Sequence, residues 1–170
     1  MDHRPTQLTK NPREHLLART RAIVQRAEKP SKQYKIMYCV AGGPPSRRLE
    51  HTLQITGDGT VSLRHVDELA QARPRELKST LTPERVTELF RDLLESRLLE
   101  NVDTGGGAFL PDSIIGAITI SDGMGIITYH FLADEQRRRL KGIDLNPSVA
   151  KFSTVLQALS DTIMGGKDNS

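Results

Sequence analysis

Aromatic side chains are scarce in this chain of 170 residues: tryptophan is absent, and four phenylalanines and three tyrosines make up 4% of the composition. So few rings are needed to anchor a core, which leaves no aromatic platform on which nucleotide bases would stack. There is one cysteine, Cys39. A single thiol excludes an intrachain disulfide framework and any zinc or iron–sulfur site built from cysteines of one chain, and it favours a reducing compartment. No apolar run is long enough for a secretory signal or a membrane span, because Arg19 and Arg21 interrupt the best candidate. Asp2 and Glu14 argue against an organellar presequence. The expectation is a cytoplasmic protein without a transmembrane segment. Catalytic signatures such as Gly-x-Ser-x-Gly or His-Glu-x-x-His are also missing, so no enzymatic activity and no cofactor are expected.

What is present suffices for one domain. A chain of this length buries roughly 70% of its unfolded surface, and the 36% apolar fraction is enough for a single core. The formal charge of +3 is unevenly placed. Residues 1–35 hold nine basic side chains against three acids, so this segment is +6 and the remainder is −3. Such asymmetry points to an electrostatic partner or to a solvated tail.

Asn11-Pro12 supplies a helix cap and a first-turn proline, and Leu16, Leu17, Thr20, Ile23, Val24 and Ala27 follow at helical spacing. The pattern predicts a basic amphipathic helix that stops at Lys29-Pro30, with Arg13, Arg19, Arg21 and Arg26 on its other faces. Residues 34–40 read as a strand near the middle of a sheet, and 49–56 and 60–65 as a hairpin about Gly57-Asp58-Gly59. Pairing Thr56 with Thr60 sets Ile55 opposite Val61, Leu53 opposite Leu63 and His51 opposite His65; a slip of one residue destroys every apolar pair. Residues 67–80 read as a polar loop. Thr82-Pro83-Glu84 opens a helix with the stripe Val86, Leu89, Phe90, Leu93 and Leu94. A glycine-rich loop over 102–112 precedes a second hairpin, in which Asp122-Gly123 as central turn residues would place Ile118 opposite Ile127 and Phe131 opposite Ile114. Asn146-Pro147 caps a last helix, which Gly165-Gly166 ends.

The expected architecture is therefore α+β: an antiparallel β-sheet of about five strands, ordered β-β-β-α-β-β-α, with two helices on one face and a basic N-terminal amphipathic helix in front. The expected division is a basic helical arm over 1–33, an α+β domain over 34–165 and a disordered tail over 166–170.

Few constellations carry chemistry. Residues 41–45 hold two glycines, but they lie between strands, and Pro44 and Pro45 remove amide donors that a phosphate would need. His51 and His65, facing each other in the favoured register, are weak metal candidates: paired imidazoles hold zinc or nickel, yet no third ligand is evident and amphipathic packing is the better reading. Arg137, Arg138 and Arg139, with Lys141, form a second basic patch in what reads as a loop. No aromatics are interleaved with it, so it offers attraction to phosphates without base reading.

The order of elements resembles the emfourin family, small bacterial protein inhibitors of thermolysin-like metalloproteases. The resemblance spans residues 34–163. It rests on a strand leading into Gly42-Gly43, the run Arg47-Arg48-Leu49-Glu50, the helix start Leu81-Thr82-Pro83-Glu84, an Asp-Gly hairpin and a closing Leu-rich helix. This chain departs from that pattern in its Gly57-Asp58-Gly59 hairpin, its polar stretch before the helix, Pro44-Pro45 and its basic arm. The resemblance implies a scaffold that presents residues 42–46 and 103–112 to a protein partner.

The functional expectation is a non-catalytic protein-binding module, an inhibitor or a small accessory subunit of a larger assembly. Its contact residues would be Leu16, Ile23 and Val24 on the arm, Gly42, Gly43, Pro44 and Pro45 in one loop, and Gly105, Gly106 and Gly107 in the other. The alternative is an electrostatic binder of nucleic acid or an anionic surface, acting through Arg13, Arg19, Arg21 and Arg26 together with the Arg137–Arg139 cluster.

Overall fold

The computed structural model describes residues 11–44, 46, 48–68, 73–105, 109 and 112–166. Residues 1–10 of the expected arm, the expected contacts Pro45, Gly106 and Gly107, Arg47, and residues 167–170 of the expected tail lie outside the described residues. The elements run α1 (Pro12–Gln25), β1 (Lys35–Gly42), β2 (Leu49–Thr56), β3 (Thr60–Asp67), β4 (Arg75–Thr80), α2 (Pro83–Ser96), a 3₁₀ turn (Leu98–Glu100), β5 (Ile114–Ser121), β6 (Ile126–Leu132), α3 (Glu135–Lys141) and α4 (Pro147–Gly165). The class is α+β, and the sheet is wholly antiparallel.

The sheet order is β4-β3-β2-β1-β5-β6, with β1 central as its apolar sequence requires. In the first hairpin Ile55 pairs with Val61, Leu53 with Leu63 and His51 with His65, the expected register. The core face carries Ile36, Tyr38, Leu53, Ile55, Val61, Leu63, Ile118, Ile120 and Tyr129, all buried. The opposite face, with Met37, Cys39, Thr52, Gln54, Thr119 and Thr128, is half-exposed.

Several elements differ from the sequence expectation. Residues 75–80 form β4 rather than a loop, because as an outer strand they bury only Leu77, opposite Leu63, and leave Glu76 and Lys78 in water. The second hairpin is offset by two residues: Ile118 pairs with Tyr129, Ile120 with Ile127 and Gly116 with Phe131. A shift of two keeps every side chain on its face, since the strand period is two. The loop spans four residues because Asp122 Oδ1 accepts from the backbone of Met124 (3.0 Å) and Gly125 (2.9 Å), with Gly123 at positive φ. Gly116 faces Phe131 because any Cβ there would overlap the ring. The basic run at 137–139 is helical, not a loop, with Asp134 capping α3.

The largest correction concerns α1. It ends at Gln25 rather than at Lys29, with Arg26 closing its last turn and Ala27 in the left-handed region. It is not a detached docking helix: Leu16 is fully buried and Ile23 is 2% exposed, both within the core cluster, and Val24 packs against that cluster. Three helices, α1, α2 and α4, therefore contribute to the single core, where two were expected. Polar contacts hold α1 as well. Thr20 Oγ1 donates to Leu16 O (2.7 Å) and meets the buried Tyr34 hydroxyl at 2.5 Å, and Tyr34 stacks edge-on against Phe90 of α2 at 4.6 Å between centroids. Burial raises the Tyr34 phenol well above its usual range, so this hydroxyl stays neutral. His15 Nε2 lies 2.5 Å from Asp122 Oδ2, tying α1 to the β5–β6 loop. Among the described residues no helix is long and apolar enough to cross a membrane.

Two predictions follow from the placement of α1. Leu16→Ala and Ile23→Ala will each cost about 2–5 kcal/mol, the range for truncating a closed core site, and urea unfolding will show it; a detached arm would leave the midpoint unchanged. Burial alone would raise the Asp122 carboxyl, but the N–H donors of Gly125 and Met124, together with His15, hold it below its usual value. A depressed carboxyl contributes stability that is complete above the unfolded-state value near 4 and is lost as pH falls through the lower folded-state value. Asp122→Asn will therefore be less stable by about 1–3 kcal/mol at neutral pH and will lose part of the acid limb of the stability profile.

Candidate functional site

The two loops expected to meet a partner start from the same end of the sheet. Gly42, at the last position of β1, sits at φ 129° with the Ser113 carbonyl against its Cα, a contact no side chain would permit. Gly43 and Pro44 continue outward from it. Gly105 plays the same part at β6: at φ 69° it lies on the His130 carbonyl, while His130 N donates to Thr104 O (2.8 Å) and Gly105 N donates to Asp103 Oδ1 (2.8 Å). The loop thus runs along the outer edge of β6. On the other side, Asp134 caps α3, Gly142 ends it in the left-handed conformation, and Asn146 Oδ1 caps α4 by accepting from Ser148 N (2.9 Å).

Between the 103–113 loop, β6 and the segment from α3 to the start of α4 lies a cleft of about 300 Å³, whose lining includes none of the expected contacts Gly42, Gly43 and Pro44. Phe131, Leu132, Leu145 and Val149 contribute its apolar lining, Thr104, Gly105 and Phe109 come from the loop, and Arg138, Lys141 and Ile143 from the α3 side. Six of the seven aromatic rings belong to the buried core; Phe109, 36% exposed, is the one outside it. Leu140 (80% exposed), Ile143 (47%) and Val102 (81%) lie on the same flanking segments. Of the six exposed large apolar side chains among the described residues, Phe109 and Ile143 line this cleft. None of Phe109, Leu140 and Ile143 stood out in the sequence, because each is isolated in a polar or glycine-rich run.

The expected electrostatic residues are mostly engaged within the chain. Arg137 donates to Ser113 Oγ (3.0 Å) and lies 3.9 Å from Asp134, Arg138 donates to the Leu132 carbonyl, and Arg139 pairs with Glu135 at 2.5 Å. On α1, Arg13 donates to the Glu100 carbonyl (3.2 Å), Arg19 lies 3.6 Å from Glu28, and Arg21 lies 3.8 Å from Glu100. Arg26 makes no ion pair among the described residues. Arg13, Arg19 and Arg21 of the segment read as a basic arm are therefore set against carboxylates and a carbonyl of their own chain.

His51 and His65 do meet, with their Nδ1 atoms 3.1 Å apart, and Ser160 of α4 places its Oγ 2.6 Å from His51 Nε2. If Ser160 donates to His51 Nε2, the proton on His51 Nδ1 is directed at His65 Nδ1, and the three side chains form one line of hydrogen bonds. The Nδ1 electron pair is then used within the pair, and among the described residues no group of three Cys, His, Asp or Glu side chains gathers as a metal site requires. Ser160 is fully buried under α4, whereas His51 and His65 reach the wall of a neighbouring cleft. Ser160 was legible only as a polar residue adjoining the apolar stripe of the last helix. Beside the histidines a more open cleft of about 640 Å³ shares Phe131, Arg138 and Leu145 with the first. Burial, and then the neighbouring His65, holds the His51 imidazole below its usual value.

Gly105→Ala tests how the loop wall is built. The new Cβ cannot coexist with the His130 carbonyl, so residues 103–105 will detach from β6. Protease cleavage within 102–112 will accelerate while the unfolding midpoint falls by less than that of Leu16→Ala. A search against protein-family models finds no match to this chain, and a search of curated proteins finds none, so the cleft's own geometry carries the functional reading.

Proposed function

We propose that this chain is a non-catalytic protein-binding module, an inhibitor or a small accessory subunit of a larger assembly, and that its partner docks at the cleft between residues 103–113 and α3. The observation that carries the reading is the position of Phe109. In a chain so poor in rings, the one ring left out of the core lines an open cleft beside exposed Ile143, with Leu140 and Val102 on the flanking segments. A cleft of about 300 Å³ takes one or two apolar side chains rather than an extended ligand. The adjoining α3 and its cap carry Arg137, Arg138, Arg139 and Lys141 against Asp134 and Glu135, a net positive charge, so the complementary partner places acidic residues around an apolar anchor. The emfourin resemblance makes a thermolysin-like metalloprotease the first partner class to test.

The experiment compares the full chain with the double variant Leu140→Glu/Ile143→Glu, whose sites are exposed enough to leave the fold intact. Both are assayed for inhibition of a thermolysin-like metalloprotease and used as bait in native-source affinity purification at low and high salt. The expected result is inhibition, or a stoichiometric protein partner, that survives moderate salt and weakens at least about tenfold (~1.4 kcal/mol) in the variant. A partner retained equally by the variant would overturn the docking site. Recovery of nucleic acid alone, released steeply by salt, would replace this reading with the electrostatic one.

A further inference from the structure

We propose that His51 and His65 form a proton-operated latch that holds the C-terminal turns of α4 on the sheet and releases them on mild acidification. His51 is 6% exposed, lies on the core face of β2, and is joined to α4 through Ser160 Oγ at 2.6 Å and to β3 through His65 Nδ1 at 3.1 Å. A single proton leaves the latch intact. If it is taken up at His51 Nε2, Ser160 changes from donor to acceptor and the bond from His51 Nδ1 to His65 Nδ1 persists. A second proton, on His65 Nδ1, points two N–H groups at each other across about 3 Å, on two positive rings whose centroids are 5.3 Å apart.

The surrounding charges decide how that second proton is received. Arg75 of β4, opposite His65 in the register, extends its guanidinium to the Met164 carbonyl at 3.4 Å and already serves the carbonyl end of α4. Arg138 of α3 adds a further cation on the cleft wall. On the other side stand Asp161, bound by Gln157 Nε2 at 2.9 Å, and Glu135 of α3. Tyr38 of β1 contributes a neutral phenol that donates to Gln157 at 3.3 Å, and burial raises its ionisation above the usual range. Arg75 and Arg138 already balance Asp161 and Glu135, so two adjacent imidazolium rings add positive charge that nothing around them among the described residues offsets. The strain falls on the contact with α4, because β2 and β3 are locked by their ladder whereas Ser160 is held by one bond and by packing.

The sign agrees. A folded-state imidazole held below its usual value resists a proton that the unfolded chain accepts, so the contribution to stability is complete above about pH 6.5 and declines as pH falls beneath it. Asp122 acts only at more acid pH, in the carboxylate range, so the two limbs are separable. Phe131, Arg138 and Leu145 wall both clefts. Release of α4 would therefore also deform the docking cleft, although the latch does not depend on that cleft having a partner.

The test is hydrogen exchange of the full chain at pH 7.5 and 5.5, corrected for intrinsic rates, with α2 as the internal reference. Amides of residues 156–165 should lose at least about tenfold in protection at pH 5.5 while those of α2 do not. In His65→Gln, whose Oε1 can still accept from His51 Nδ1 but cannot take a proton, the protection of 156–165 should be the same at both pH values. An equal loss in His65→Gln, or no loss in the unaltered chain, would overturn the latch. Should that variant not fold, an NMR titration of the unaltered chain decides: the loss of protection must coincide with the second imidazole step, and a loss that precedes it refutes the proposal.

Discussion

The buried Tyr34 ring is the constraint on which the rest of this structure depends. It stands immediately before β1, where its carbonyl accepts from Gly57 N (2.8 Å) and so ties the first hairpin turn to the start of the central strand. Its ring is edge-on to Phe90 of α2, and its hydroxyl is satisfied only by Thr20 of α1. A buried hydroxyl without a partner is costly, so the ring dictates that α1 lie across it. Two helices and two strands are thereby fixed relative to one side chain. At the far end of β1, Gly42 lies against the Ser113 carbonyl, where the loop that lines the cleft enters β5.

Charge follows the same logic at lower energy. The +6 segment at the N-terminal side meets Glu100 and Asp58, and Asp122 receives His15, so part of the asymmetry in the sequence is spent within the molecule. The exposed pairs contribute little each, whereas the His15–Asp122 contact is largely shielded from water and closes the β5–β6 loop against α1. On α3, Arg137 and Arg139 likewise meet Asp134 and Glu135, which leaves that helix and its cap with a net positive charge beside the cleft.

Legibility varied with the range of the forces involved. The first hairpin could be read residue by residue because its alternation and its turn agree and a slip would expose every apolar side chain. The second has the same alternation, yet its loop length was set by the Asp122 carboxylate gathering backbone donors, and a two-residue shift leaves the pattern of faces unchanged. β4 was hidden because an outer strand with one buried leucine has almost no hydrophobic signature. Of the candidate site, the glycine positions Gly42 and Gly105 and the facing histidines were legible. Phe109, Ile143 and Ser160 were not, since a lone apolar residue in a polar run and a lone serine in a helix acquire meaning only from what they touch.

By itself, then, the sequence determined the α+β class, the central place of β1, the caps of α1, α2 and α4 and the opposition of His51 to His65, all of which follow from periodicity and local backbone chemistry. The tertiary structure alone decided that α1 belongs to the core, that the 103–113 loop, β6 and α3 enclose one cleft, and that Ser160 completes the histidine line. The reason is physical: an amphipathic stripe specifies that a face be buried, but not against what. Only the competition of all such faces for one core, with Tyr34 at its junction, selects the partners.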